Sequence, residues 1–233
     1  MKYKKALVAI MLMTLAFFAS NCGKTEEPID LEDDNDNPAY VDLGLPSGTL
    51  WATCNVGANA PEERGHFFAW GETKPKDSYD WTTYRYCKGG PDQLTKYCSH
   101  FASGYEGFTD YLTTLQPEDD AATANLGEEW CTPLKEDWQE LFDHTTQEWT
   151  TLNGEEGRRF TGSNGNSIFV PVAGMFPSIP HTCYQGHYWS SSRNADHSNW
   201  AVAIYFQEDT YWMVSHDRKE DYLIRPICLV IKN

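Results

Sequence analysis

Between Gly186 and Phe206 the chain reads GHYWSSSRNADHSNWAVAIYF, which sets a run of three serines near two histidines, an arginine and an aspartate. Serine, histidine and aspartate are the parts of a nucleophilic hydrolase. That chemistry also requires a serine on a strained turn, a base within hydrogen-bond reach and a preorganised oxyanion hole. The chain contains no G-x-S-x-G elbow. With YWSSS as a strand, Ser190 and Ser192 face one side and Ser191 the other, so the three hydroxyls do not act together. Small hydroxyl side chains suit a strand that passes close beneath a loop. Catalysis by these serines is not expected.

Other chemistries find less support. Among 34 acidic residues, the adjacent pairs Asp119-Asp120, Glu128-Glu129 and Glu155-Glu156 sit beside turns or helix ends, where solvation accounts for them. A glycosidase needs two carboxylates held at a fixed separation in a cleft, and the sequence singles out no such pair. No cysteine pair shows C-x-x-C spacing and no histidine stands at zinc-finger distance, so no metal is expected. No cofactor motif is present either.

What remains is an aromatic and polar recognition surface. Nine tryptophans and thirteen tyrosines exceed what a core of this size requires, and many fall late in the chain. Trp189 and Trp200 read as scaffold, since Trp200, Val202, Ile204 and Phe206 share one face of a strand and Tyr205 faces away. The connecting residues carry no such duty. Arg193, Asn194, Asp196, His197 and Asn199 form one candidate contact loop, and His216, Asp217 and Arg218 a second. Tyr184, His187 and Tyr211 flank them. Aromatics mixed with Asn, Arg and His make a rigid but adaptable surface for protein or glycan.

These residues need elements to position them. WATCNVG (51–57) and HFFAWGE (66–72) read as strands ended by glycine. Residues 73–117 have no lasting period and form a long irregular excursion. PEDDAATANLG (117–127) reads as a short helix stopped by Gly127. A second helix spans 133–143, with Thr132 as cap, Pro133 first, and Leu134, Trp138, Leu141 and Phe142 on one face. EWTTL, RRFTG and NSIFVPVAG form a meander with turns at Asn153-Gly154 and Asn164-Gly165. YWSSS, WAVAIYF, YWMVSH and LIRPICLVI follow at hairpin-like spacing. Two helices followed by many short strands imply an α+β class.

The ends lie outside that domain. Residues 1–21 carry three lysines and then an apolar run of about a dozen residues, a signal peptide too short for a stable membrane span. Cys22 follows at once in FASNCGK, which resembles a bacterial lipobox with a lipidated cysteine; the alternative is an ordinary signal peptide cleaved nearby. Residues 22–39 hold seven acids and one lysine and read as a disordered, solvated tether. The formal charge of −16 becomes −19 without the signal lysines and −13 on residues 40–233 alone. An evenly acidic domain without a basic stripe repels phosphate backbones, so nucleic acid is not an expected partner. Beyond Cys22, six cysteines remain, and in an exported chain an even set reads as disulfides first.

YVDLGLPSGTLWATCNVGA (40–58), FAWGETKPK (68–76), DDAATANLGEEW (119–130), NGNSIFVPVAG (164–174), YWSSS (188–192) and IRPICL (224–229) occur in order. Together they closely resemble the Fibrobacter succinogenes major paralogous domain family, common among surface lipoproteins of Bacteroidetes-type bacteria. The resemblance covers about residues 40–230 and implies a single C-type-lectin-like domain. In such a fold the first and last strands pair, two helices flank the sheet, and a long loop region presents the ligand surface. It implies a pair Cys54–Cys228 on neighbouring strands. WCTPL departs from the family pattern by placing Cys131 where an arginine is usual, and Cys183 is also unusual, which suggests Cys131–Cys183. Cys87–Cys98 is then the third pair. Arg225 matches a family motif and reads as a buried ion pair holding the last strand. Calcium-dependent sugar binding is not expected, because GMFPSIPHTCYQGH (174–187) lacks acidic ligands. The resulting expectation is a lipid-anchored lipoprotein of the outer membrane or cell surface that binds an external protein or glycan without catalysis. The alternative is a structural or assembly component of the envelope, docking through the same face.

Overall fold

The alternation and turn chemistry of the second half of the chain produce two antiparallel meanders. A computed structural model describes residues 39–172 and 185–228. The signal segment, Cys22, most of the acidic tether, Cys183 and Tyr184 lie outside the described residues. β4 (Thr146–Leu152), β5 (Glu155–Thr161) and β6 (Ser167–Pro171) form one sheet. Asn153 and Gly154 both take positive φ, 49° and 94°, as a two-residue hairpin with a primed turn requires. β7 (Gly186–Arg193), β8 (Trp200–Phe206) and β9 (Tyr211–Asp217) form a second sheet, with a register shift between Trp189 and Arg193.

The third sheet joins distant parts of the chain. β1 (Tyr40–Asp42), β2 (Leu50–Ala52), β10 (Ile227–Cys228) and β3 (Trp130–Cys131) lie in the order β1-β2-β10-β3. Ile227 faces Trp51 on one side and Cys131 on the other. The late segment therefore does not extend the meander as its spacing suggests; its described strand, Ile227–Cys228, crosses over to pair with β2. HFFAWGE is not a strand but a single bridge, Phe68 with Tyr222, ended where Gly71 turns at φ 81°.

Among the described residues, two α-helices complete the α+β architecture. α1 (Ala121–Leu126) starts on Asp120, whose carboxylate accepts the Ala122 N–H at 2.9 Å, and stops at Gly127 with φ 105°. α2 (Lys135–His144) begins two residues later than Thr132 and Pro133 suggest. The Thr132 hydroxyl is committed elsewhere, donating to Asp120 at 2.6 Å, and Asp137 accepts the Leu134 N–H at 2.7 Å in its place.

α2 buries Trp138, Leu141 and Phe142 against Trp51, Phe160, Tyr188 and Ile204, while Leu134 stays exposed. A second cluster lies on the other face of β7 and β8, where Trp189 and Tyr222 pack over Ala201 and Ala203. Both faces of β8 are thus buried, because alanines opposite the large residues leave room for a second layer. Trp189 is scaffold, its indole donating to the Phe68 carbonyl at 2.8 Å.

The ion pair expected at Arg225 does not form. The side chain is fully buried and donates to the carbonyls of Ala52 at 3.1 Å and Phe169 at 2.9 Å. Burial lowers its pKa from the usual guanidinium value. Of the expected disulfides, Cys54–Cys228 and Cys87–Cys98 do not form, and among the described residues Cys54, Cys87, Cys98, Cys131 and Cys228 are free thiols; the partner expected for Cys131, Cys183, lies outside the described residues. Cys228 stands opposite Leu50, and Cys54 lies past the end of β2, so the two do not face each other across the paired strands. Cys131 and Cys228 sit one register step apart and point to opposite faces. The Cys87 thiol donates to the Trp81 carbonyl at 3.0 Å and that of Cys98 to the His100 carbonyl at 3.2 Å.

Candidate functional site

The two candidate loops meet at one end of the β7-β8-β9 sheet. β8 starts with Trp200 opposite Asp217, the last residue of β9. The Trp200 indole donates to Asp217 Oδ1 at 2.9 Å, and the Arg218 N–H donates to the Asn199 carbonyl at 3.0 Å. Asn194 shapes the first loop, its Oδ1 accepting the N–H groups of Asp196 at 2.9 Å and His197 at 2.8 Å. Its amide nitrogen donates to Ser215 Oγ at 2.8 Å. Asp196 and His197 are left exposed, with the His197 ring 4.4 Å from Trp200.

Other residues proposed for contact have structural duties. Arg193 is buried and donates to the carbonyls of Leu112 at 3.1 Å and Asn194 at 2.6 Å. Arg218 is fully buried, donates to the Lys96 carbonyl at 3.1 Å, and lies 5.5 Å from the Trp70 ring and 5.4 Å from Tyr84. Arg218 is closed to a ligand, and Arg193 reaches only the lining of the groove beside α2. Tyr211 stacks on Phe142 with ring centres 3.7 Å apart, and its hydroxyl accepts from Gln139 at 3.1 Å. His187 is buried between Tyr205 and Tyr222, with no hydrogen bond to Nε2. Burial and then neighbouring His216 push its pKa down to about 4. His216 packs against Tyr222 and is lowered by burial as well.

The serines bond within the scaffold. Ser190 Oγ donates to the Val202 carbonyl at 2.7 Å, and Ser192 Oγ accepts the Lys135 N–H at 3.2 Å. His187 shares the opposite face of β7 with Trp189.

A feature the sequence reading passed over lies beside the first loop. Within the irregular excursion, Phe101 is 70% exposed and Tyr111 69%, with Tyr105 and Phe108 also exposed. The Asp110 carboxylate pins the base of this aromatic loop by accepting the N–H groups of Tyr97 at 2.7 Å, Cys98 at 2.8 Å and Leu112 at 3.2 Å. At Gly104 a Cβ would stand 1.8 Å from the Phe108 carbonyl oxygen, so only glycine fits. The loop docks on its neighbour through Ser99 N–H to Ser198 Oγ at 3.0 Å and Arg193 N–H to the Thr113 carbonyl at 2.8 Å. The available signal was four aromatics in eleven residues, interleaved with Gly, Ser, Thr and Glu and lacking a strand's alternation.

Two hollows flank this region. A groove of about 430 Å³ runs between α2 and the sheet, with Val202 and Met213 in its lining and Lys135, Glu136, Asn194 and Asp196 among its polar groups. A larger hollow of about 860 Å³ surrounds β3 and is lined by Leu115, Trp130, Cys131, Leu134 and Ile227. Three of its carboxylates are committed to the fold: Asp120 and Asp137 at the helix starts, and Glu118 to Lys96 at 3.0 Å. Burial pushes the Cys131 thiol up to about 12, leaving it protonated at neutral pH. Among the described residues no three His, Cys, Asp or Glu side chains group as a metal site. Among them too, no helix is long and apolar enough to cross a membrane.

Comparison of the chain with protein-family models, with curated proteins and with solved structures found no match.

Proposed function

We propose that this chain is a lipid-anchored lipoprotein of the envelope or cell surface whose C-type-lectin-like domain binds an external protein or glycan, without catalysis. The observation that carries the binding reading is the face shared by the aromatic loop and residues 194–199. Exposed aromatic rings on a pinned loop have no role in the chain's own core, and large apolar side chains left exposed within one segment point to an interaction site. The lectin-like fold rests on the family resemblance, and the pairing of β2 with β10 agrees with it. The anchor at Cys22 and the placement at the outer membrane or cell surface rest on the sequence reading of residues 1–22.

The reading is tested in two parts. Metabolic labelling with a fatty acid, compared between the wild type and Cys22→Ala, tests the anchor; equal labelling defeats it. The mature chain is then screened against host glycans and matrix proteins, alongside affinity capture from the native envelope. Binding confined to the organism's own envelope proteins favours the assembly role instead, and binding to nothing defeats both.

A further inference from the structure

Resting on the binding reading above, we infer that the partner is a polypeptide rather than a glycan, and that Phe101 and Tyr111 are the side chains it covers. The polar groups of this face decide between the two. A sugar is held by donors and acceptors that converge on its hydroxyls. Here the groups that shape the loops are already used, with Asp196 and His197 left exposed beside them: Asp110 holds three backbone N–H groups, Asn194 holds two and reaches Ser215, and Asp217 holds Trp200. The face instead offers ring carbon, and Phe101, its most exposed aromatic, carries no polar atom. Aromatic rings of this kind fill apolar pockets at the centre of protein interfaces.

The loop is also preorganised, so little ordering entropy opposes docking. A groove lies beside Asn194 and Asp196, on the loop whose Ser198 hydroxyl accepts the Ser99 N–H. Met213 and Val202 in its lining give an adaptable apolar seat for one partner side chain.

Charge narrows the partner further. Residues 40–233 carry a formal −13. Two copies repel each other, and so do acidic membranes and nucleic acids. The fitting partner is a polypeptide with an apolar centre and a basic rim, steered by opposite charge and weakened by salt.

The test uses the mature chain with two probes, a phage-displayed library of random dodecapeptides and an oligosaccharide array. Each is applied to the wild type, to the Phe101→Ala/Tyr111→Ala double variant, and to Trp212→Ala as an exposed aromatic outside the loop. Both deleted rings are exposed, so far-UV circular dichroism should match the wild type. The expected result is selection of peptides mixing apolar residues with Lys and Arg. Their affinity should fall at least about tenfold in the double variant, hold in Trp212→Ala, and weaken as salt rises. Peptides that bind the double variant equally well overturn the inference. An oligosaccharide bound by the wild type and lost in the double variant overturns it too, while sparing the binding reading. Dimerisation in sedimentation velocity that the double variant abolishes assigns the face to a second copy and also overturns it. If nothing binds the wild type, both readings fall.

Discussion

The Trp200 indole nitrogen donates to Asp217 Oδ1 at 2.9 Å, tying the first residue of β8 to the last of β9. Asn199 reaches the same oxygen at 3.4 Å. One carboxylate therefore holds the two loops side by side. Asp217→Ala should cost about 1 kcal/mol, the usual net worth of one hydrogen bond. A urea titration should show a lower midpoint with unchanged slope, and amide exchange should speed up at Asn199 and Arg218. Exchange that rises evenly through the sheet, leaving these two no faster than the rest, would refute the local tie.

Arg225 puts a guanidinium among atoms that carry only partial negative charge. Its two bonds, to the Ala52 and Phe169 carbonyls, join segments more than fifty residues away in either case. Arg225→Met removes the buried charge but leaves both carbonyls without that donor. A loss of about 2–5 kcal/mol is expected, in line with breaking a buried polar network. Calorimetry measures it, and a Tm within about 2 °C of the wild type would contradict it. Arg225→Lys should recover only part, because an ammonium lacks the fork that reaches two carbonyls.

The contrast between these arginines and α2 shows what a sequence discloses. The Trp138, Leu141 and Phe142 face of α2 and the Asn153-Gly154 turn are local, set by period and by φ preference, and both formed as read, while Leu134 fell outside the helix and stays exposed. Arg193, Arg218 and Arg225 read as open or ion-paired because arginine is seldom fully buried. Their burial depends on carbonyls supplied by Leu112, Lys96, Ala52 and Phe169, which no local pattern announces. The start of α2 failed for the same reason, since Asp120 takes the Thr132 hydroxyl across a tertiary contact. The aromatic loop escaped notice because its rings keep no strand period and the structure gives them no core to enter. Tyr184 and Cys183 lie outside the described residues.

Acid should destabilise the domain partly through His187. Its folded pKa of about 4 lies below its ordinary value of 6.5, so the folded state disfavours the proton. Below pH 6.5 the unfolded chain binds that proton first, and stability falls until the pH drops through the folded value. The contribution is fully present above pH 6.5 and amounts to at most about 3 kcal/mol. His216, lowered by burial, acts in the same direction. Asp119 is also lowered from its ordinary 3.8, so its contribution is lost at more acidic pH. His187→Gln should therefore flatten the stability curve between pH 6.5 and 4 while leaving the steeper fall below it. Parallel curves for variant and wild type would remove His187 from the account.

Free thiols at Cys54, Cys87, Cys98 and Cys228 predict indifference to reductant. A disulfide at Cys54–Cys228 or Cys87–Cys98 would contribute about 2–4 kcal/mol, which reduction would remove. Adding dithiothreitol should instead move the Tm of the mature chain by less than about 2 °C. A fall of several degrees, with mass spectrometry locating a bridge at either pair, would contradict the free-thiol arrangement.

Gly104 should control the aromatic loop without supporting the core. A methyl group there meets the Phe108 carbonyl at 1.8 Å, a contact that backbone movement alone relieves. The Gly104 N–H donates to the Phe101 carbonyl at 3.3 Å and Gly107 donates back to Gly104 at 3.0 Å, so the displacement passes into the turn carrying Phe101 and Phe108. Residues 98–111 give no side chain to the two main core clusters, which meet the loop only at its flanks, Tyr97 and Leu112. Gly104→Ala should thus lower stability modestly, by about 1–3 kcal/mol as strain at a tight approach costs, while amide exchange rises selectively across residues 98–111. Peptide binding selected on the wild type should fall with it, although no contacting side chain has been removed. Exchange that stays slow in this segment would mean that the loop does not depend on the close approach at Gly104.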